Sequence, residues 1–326
     1  MDAPALVCGE VRTCLLPTRD AVGERTAERL LRLRPDERVR LSRRPHPHAL
    51  SPDVLTGVDC RLPAADGAKV RAVGAVAARA ALTWGRVLQA TAYFSAPAGG
   101  PDRRRPWGYY LVRPGVLVPV GRLPQRSVAD GFLGDPHAPD LLDVGSIAEG
   151  LLARISRRHL LLDYDAPLRT VGTRLRWAAL PAPAGTPARL VRFTVDDTDA
   201  ADGLRTAELA VPGDVAPAAV AGFCEDLALH DWVLTTVAHK LDGVPSGAAG
   251  QDAVLTALRP LVEHLLHVWM PGARVDPALG PLWRTLEERP GFTRQWENLV
   301  QRVRDQMALL ALRPRADDAP AVRRTA

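Results

Sequence analysis

Lysine is almost missing from this chain of 326 residues: Lys69 and Lys240 are the only two, and the other 40 of the 42 basic residues are arginine. Alanine is abundant and prolines number 29, which together read as a high-GC coding bias and remove most of the meaning from any single arginine. Cysteine is scarce. Cys8, Cys14, Cys60 and Cys224 stand apart, with no C-x-x-C and no paired spacing, which excludes a disulfide scaffold and a zinc module and leaves small core filler in a reducing compartment. No apolar run approaches the ~18–20 residues that cross a bilayer. The opening "MDAPALVCGEVRTCLLPTRD" lacks a basic segment followed by a long apolar core, so no secretory signal is expected and the expected location is cytoplasmic. Catalytic signatures are also missing: there is no phosphate-binding P-loop, no dinucleotide fingerprint, no zinc-protease helix and no nucleophile elbow. The expectation is a protein with no cofactor and no metal.

What is present describes a water-soluble globular chain: 47% hydrophobic, 24% charged, with a mean hydropathy near zero. Its length predicts two domains at roughly 150 residues each. The formal charge is +5, concentrated at net +6 over residues 61–212, while residues 213–313 are net −3. Spread so thinly, the excess is a mild field that argues against a nucleic-acid partner.

The N-terminal stretch reads as strands. Val7, Val11 and Leu15 alternate with Glu10 and Arg12 up to Pro17, and a helix capped by Asp20 is expected to run through Arg34. Residues 69–120 read as hairpins, with turns at Gly85 and at Pro114-Gly115 around an exposed loop, "APAGGPDRRRPWG". A helix opened by Ser146 with Glu149 three residues on has the capping-box pattern. "TRLRWAAL", "RLVRFTVD" and "LRTAELAV" predict an antiparallel meander, with Val191, Phe193 and Val195 on one face of its second strand.

After Pro212 the apolar period changes from 2 to 3.6. Four amphipathic helices follow: Val220 to Leu241, Val254 to Val268 (with Asp252 as N-cap), Pro277 to Arg289, and one beginning after Thr293. The chain is therefore expected to be α+β: a mainly antiparallel, β-rich domain over 1–212, an α-helical bundle over 213–313, and a loose polar tail over 314–326. "GVPSGAAG" around Ser246 reads as a plain linker.

The sharpest chemical pattern is doubled. "DLALHDW" holds Asp226, His230 and Trp232, and "EHLLHVW" holds Glu263, His267 and Trp269, each with a carboxylate and a histidine four residues apart on one helical face. Projected on a helical wheel, Asp226 and His230 fall at the edge of the apolar stripe, whereas Glu263 and His267 fall opposite theirs, so the two pairs are not expected to share a metal. Asp231 falls inside the apolar stripe, where a carboxylate must be paired; an arginine from another helix is the expected partner. The first helix is apolar nearly all round, which predicts a central helix or one facing the β domain. Arg103, Arg104 and Arg105 lie beside Trp107, Tyr109 and Tyr110, a composition that can bind single strands by charge and stacking, although a solvated loop is the simpler reading. "RVRLSRRPHPH", from Arg38 to His48, reads as an exposed strand ending in a His-Pro-His without other ligands nearby.

Five stretches carry a resemblance: "GEVRTCLLPT" from Gly9, "LTGVDCRLP" from Leu55, "VAGFCEDLALHDWVLTT" from Val220, "WMPGARVDPALGPLW", and "ERPGFTRQWENLVQRVRDQ". In these the chain resembles a family of similarly long actinobacterial proteins that has no established activity and is encoded beside a variant P-loop, ParA-like protein and a methyltransferase-like protein. The resemblance implies membership in a multi-protein system and assigns no catalytic residue. The expected function is accordingly a non-catalytic, protein-binding subunit of a cytoplasmic assembly. Trp232 and Trp269 are its expected anchors, since four of the seven tryptophans lie in the helical half. The rival readings are an enzyme with Asp226, His230 and Asp231 in a crevice between strands and helices, and a weak nucleic-acid binder through Arg103, Arg104 and Arg105.

Overall fold

A computed structural model describes residues 5–134, 138–157, 170–196, 203–243 and 251–312, leaving aside the side chains of residues 251–253, 257 and 310–312. The polar tail and the Ser246 linker lie outside the described residues.

The protein is α+β, built on one large sheet that has ten strands among the described residues. In chain order these are β1 (Ala5–Leu15), β2 (Arg40–Ser42), β3 (His48–Leu50), β4 (Val54–Leu62), β5 (Val70–Thr83), β6 (Val87–Pro97), β7 (Leu117–Pro119), β8 (Thr173–Pro181), β9 (Arg189–Asp196) and β10 (Leu204–Val211). The main path runs β2-β3-β5-β6-β1-β8-β10-β9, with β4 and β7 also pairing with β5. Strand β1 pairs antiparallel with both β6 and β8, so the first element read from the sequence lies at the middle of the sheet. The β5–β6 hairpin closes through the three residues Trp84, Gly85 and Arg86, the first two at positive φ, with the Arg86 amide donating to the Thr83 carbonyl at 3.0 Å.

Several expectations are corrected. Strand β10 inserts between β8 and β9 and runs parallel to β8, so these three strands are not a meander. Of the apolar face expected for β9, Phe193 packs against the helices, but Val191 and Val195 are exposed on this outermost strand of the sheet path. Pro114-Gly115 does form a turn with Gly115 at positive φ. The run before it, however, is not a strand: it is the short helix α2 (Trp107–Leu111). The first helix, α1 (Glu24–Leu31), begins after Gly23 without an Asp20 cap. Helix α4 (Val144–Ser156) is capped by Asp143, whose carboxylate accepts the Ser146 amide at 2.9 Å, rather than by Ser146 itself. Strand β4 and helix α3 (Gln125–Leu133) have no counterpart in the sequence reading.

The two faces of the sheet carry two cores. On one, Leu6, Cys8, Phe94 and Leu88 meet apolar residues of α1, α3 and α4. On the other, Val7, Val11, Leu175, Trp177 and Leu209 meet α5 (Pro217–Asp242), α6 (Gln251–His264), α7 (Gly280–Glu288) and α8 (Phe292–Leu312). The alternation of β1 explains the division: Leu6 and Cys8 face one layer, Val7 and Val11 the other. Helix α5 is buried around nearly its whole circumference, with the sheet on one side and α6 and α8 on the other, as its all-round apolar sequence predicts. The second predicted helix ends earlier than expected. At His264 it gives way to a 3-10 turn over Leu266–Val268, and the chain then loops through Met270 to Arg274 back onto α5.

Candidate functional site

The buried polar residues of α5 divide between two sides: Glu225 and Asp231 reach arginines of the sheet in the seam beneath the helix, while Asp226 and His230 meet the loop that follows α6. His230 is wholly buried, and both of its ring nitrogens are engaged: Nδ1 donates to the Asp226 carbonyl at 2.7 Å, and Nε2 accepts the Met270 amide at 3.1 Å. That pairing fixes a neutral tautomer, and burial lowers the pKa of the ring. Trp269 and Trp283 stand edge-on to it, at 5.1 and 5.6 Å between ring centres. The Asp226 carboxylate accepts the Gly272 amide at 2.7 Å, while its other oxygen is 3.8 Å from the histidine. Asp226 and His230 therefore fasten the 270–272 loop to the helix. No lone pair on the imidazole is left for exchange with a substrate.

Asp231 is indeed in an ion pair, but its partner is Arg205 of β10, not a residue of another helix: Arg205 Nε donates to Asp231 Oδ2 at 2.6 Å. The same guanidinium donates to Thr235 Oγ1 at 2.8 Å and the Gly203 carbonyl at 2.7 Å. Asp231 thus lies beyond hydrogen-bond reach of His230 in this network, and the structure does not gather Asp226, His230 and Asp231 into one reactive centre.

Trp232, expected at a partner interface, is fully buried instead, its indole N–H donating to the Val171 carbonyl at 3.0 Å. Trp269 is half-buried and stacked on Trp296 at 4.8 Å, with an interplanar angle of 7°. Both rings lie against the molecule's own core. The Arg259–Glu263 pair is solvated, and His267 rests edge-on against Trp84. Sequence could not foresee these burials because the loop from Met270 to Arg274 folds back over the helix.

A second buried pair escaped the sequence reading. Arg79 of β5 and Glu225 of α5 make a two-pronged ion pair at 2.7 and 3.0 Å. Arg79 also donates to the Ala218 carbonyl and lies over the Tyr93 ring, 5.6 Å from its centre. The Tyr93 hydroxyl donates to Asp53 Oδ2 at 3.2 Å, and burial pushes the phenol up to about 12, so it stays protonated. Gln89 completes the seam by donating to the Glu225 carbonyl and to Thr13. The only advance signal was the position of Arg79 within an alanine-rich run.

This seam opens at one end into a cleft of about 860 Å³. It lies where α5 begins and leaves part of the sheet uncovered. Val7, Ala77, Tyr93 and Ser95 line the sheet side, Pro212 to Ala218 the helix side, and Tyr109 and Arg113 the lip. Above that lip stands α2. Tyr110 is its plug, buried against Val73 and Val118, with its hydroxyl accepting the Arg105 amide at 2.8 Å. Its neighbours point outward: Trp107 and Tyr109 are partly exposed, Leu111 is 62% exposed and Val112 is 74% exposed. Arg103, Arg104 and Arg105 flank this patch, Arg104 paired with Asp59 at 2.9 Å and lying over Trp107. Arg113 covers Tyr109.

Among the described residues, no group of three histidines, cysteines or carboxylates could hold a metal ion, and no helix is long and apolar enough to cross a membrane. Comparison with family models, curated proteins and solved structures finds no match, so function is argued from this geometry alone.

Proposed function

We propose that the protein is a non-catalytic, protein-binding subunit of a cytoplasmic multi-protein system, and that it docks through α2 and its flanks rather than through Trp232 and Trp269. One observation carries the reading: the run Trp107, Tyr109, Leu111, Val112 is turned outward by a single buried tyrosine and ringed by Arg103, Arg105 and Arg113. Tryptophan, tyrosine and arginine around a small apolar centre are the composition of an interface hot spot. Such a face suits a partner surface that is apolar at its centre and acidic at its rim. The segment after residue 212, read from its sequence as a helical bundle, forms the helix side of the cleft, while α2 rests on the sheet through β5.

The first partners to test are the variant P-loop protein and the methyltransferase-like protein that the family resemblance implies. Purified protein should bind one of them, and Leu111→Ser combined with Val112→Ser should weaken binding at least tenfold while moving stability by no more than about 0.5 kcal/mol. Failure to bind either one, or binding indifferent to the double substitution, overturns the proposal. Binding to single-stranded nucleic acid with a steep salt dependence would favour the rival reading of the arginine loop instead.

A further inference from the structure

The cleft at the start of α5 has a chemistry that its walls define. It is walled mostly by Val7, Ala77, Leu55, Val116 and Val211, with the loop from Pro212 to Pro217 closing the helix side. Its volume falls within the ~300–1,000 Å³ that small-molecule sites occupy. The charges around it, Arg34, Glu37, Asp53, Arg113 and Asp214, are not equivalent, and Asp214 is solvent-exposed on the loop before α5. Arg34 is neutralised by Glu37, and Arg113 is held over Tyr109, donating to that residue's own carbonyl at 2.7 Å. Asp53 is different. The one hydrogen bond described for its carboxylate comes from Tyr93, on Oδ2, whereas an aspartate can accept about four.

The buried cation Arg79 is committed through both prongs to Glu225, so it acts on Asp53 only through space and gives it no hydrogen bond. Tyr93 cannot discharge it either, because it gives a neutral hydrogen bond and keeps its proton. A half-buried carboxylate with spare acceptor capacity at the wall of an apolar cleft selects for a donor, and most strongly for a charged one. We propose that the cleft binds a small amphipathic amine, with its ammonium group on the Asp53 carboxylate and its apolar body along Val7, Ala77 and Val116. The cleft shares Tyr109 and Arg113 at its lip with the outward face of α2, but the groups that would hold the amine, Asp53 and the sheet-side apolar wall, lie outside that face, so the proposal does not depend on the docking reading.

The test is calorimetric titration of the full-length protein at neutral pH with octylamine, octanol and octanoate, three probes that share a chain and differ in the head group. Octylamine should bind at least about tenfold more tightly than octanol, the gain of one charge-assisted hydrogen bond, and octanoate should bind most weakly. Asp53→Asn should bring octylamine down to the affinity of octanol. A second variant guards against misfolding: Leu55 is exposed on β4, and Leu55→Arg sets a cation at the mouth of the cleft without touching the core. It should weaken octylamine binding with an unchanged melting temperature. Equal affinity for the three probes, a preference for octanoate, no binding at all, or an amine preference that survives in Asp53→Asn would each overturn the proposal.

Discussion

His230 shows how a residue suited to catalysis serves the fold. Its two nitrogens close a bridge between the Asp226 carbonyl on α5 and the Met270 amide in the loop that returns from α6. Replacing it with alanine removes both bonds and leaves a carbonyl and an amide in a dry seam. The expected loss is about 2–4 kcal/mol of stability, read by urea unfolding. If His230→Ala instead kept its stability and lost only function, the enzyme reading would gain. His46 makes a different prediction. Buried against Trp84 and facing the positive Arg274, it has its pKa pushed down to about 4, first by desolvation and then by that arginine. As pH falls below the ordinary histidine value near 6.5, the unfolded chain takes up a proton that the folded chain refuses. Stability is therefore complete above that value and declines toward pH 4, by up to about 3 kcal/mol from this residue. His48 and His230, lowered by the same cause, add to the decline in the same direction. Unfolding measured across that range should slope accordingly, and His46→Gln should flatten part of the slope. A profile with no slope would show that His46 is not held neutral.

At the scale of the element, α5 is the instructive case. Its sequence was legible as a helix with too much apolar surface for one face, and the structure supplies the reason in the sheet beneath it. What could not be read was where its charges would go. Asp231 and Glu225 reach down to Arg205 and Arg79, both on strands, because the helix lies across the sheet and its polar residues must find partners there. The Arg79–Glu225 pair joins β5 to α5 in a seam with no water-exposed edge at either side chain. Removing one charge strands the other: Glu225→Ala is expected to cost about 3–5 kcal/mol, while the simultaneous change of both residues to apolar ones should cost far less. Double-mutant unfolding measures the difference. Helix α2 is the opposite case, a five-residue element set between proline- and arginine-rich flanks and too short to be read from periodicity, yet anchored by the buried Tyr110.

Across the whole molecule, strands β1, β6, β8 and β10 share one apolar core with α5, α7 and α8. A core drawn from both ends of the chain makes the sheet and those helices stabilise one another. Thermal unfolding by calorimetry is therefore expected to show a single transition, with the loss of tryptophan and backbone signals coincident. Two separated transitions would mean that the segment after residue 212 stands by itself. The arginine excess also takes its place at this scale. Arg79, Arg176 and Arg205 are spent on buried carboxylates, whereas the arginines around α2 lie at the surface.

The sequence by itself determined the order of two regimes, strand-rich before Pro212 and helical after it, because periods of 2 and 3.6 are local properties of neighbouring residues; β4, α2 and α3 were not legible in it. It also determined that α5 would be enclosed and that Asp231 would need a cation. Only the tertiary structure decided which cation that was, that β10 would lie parallel beside β8, and that His230 would be sealed by a loop forty residues away. It likewise decided that Trp232 would face inward while α2 faced outward. Each of these depends on which distant segments share a face of the sheet, and no local pattern records that.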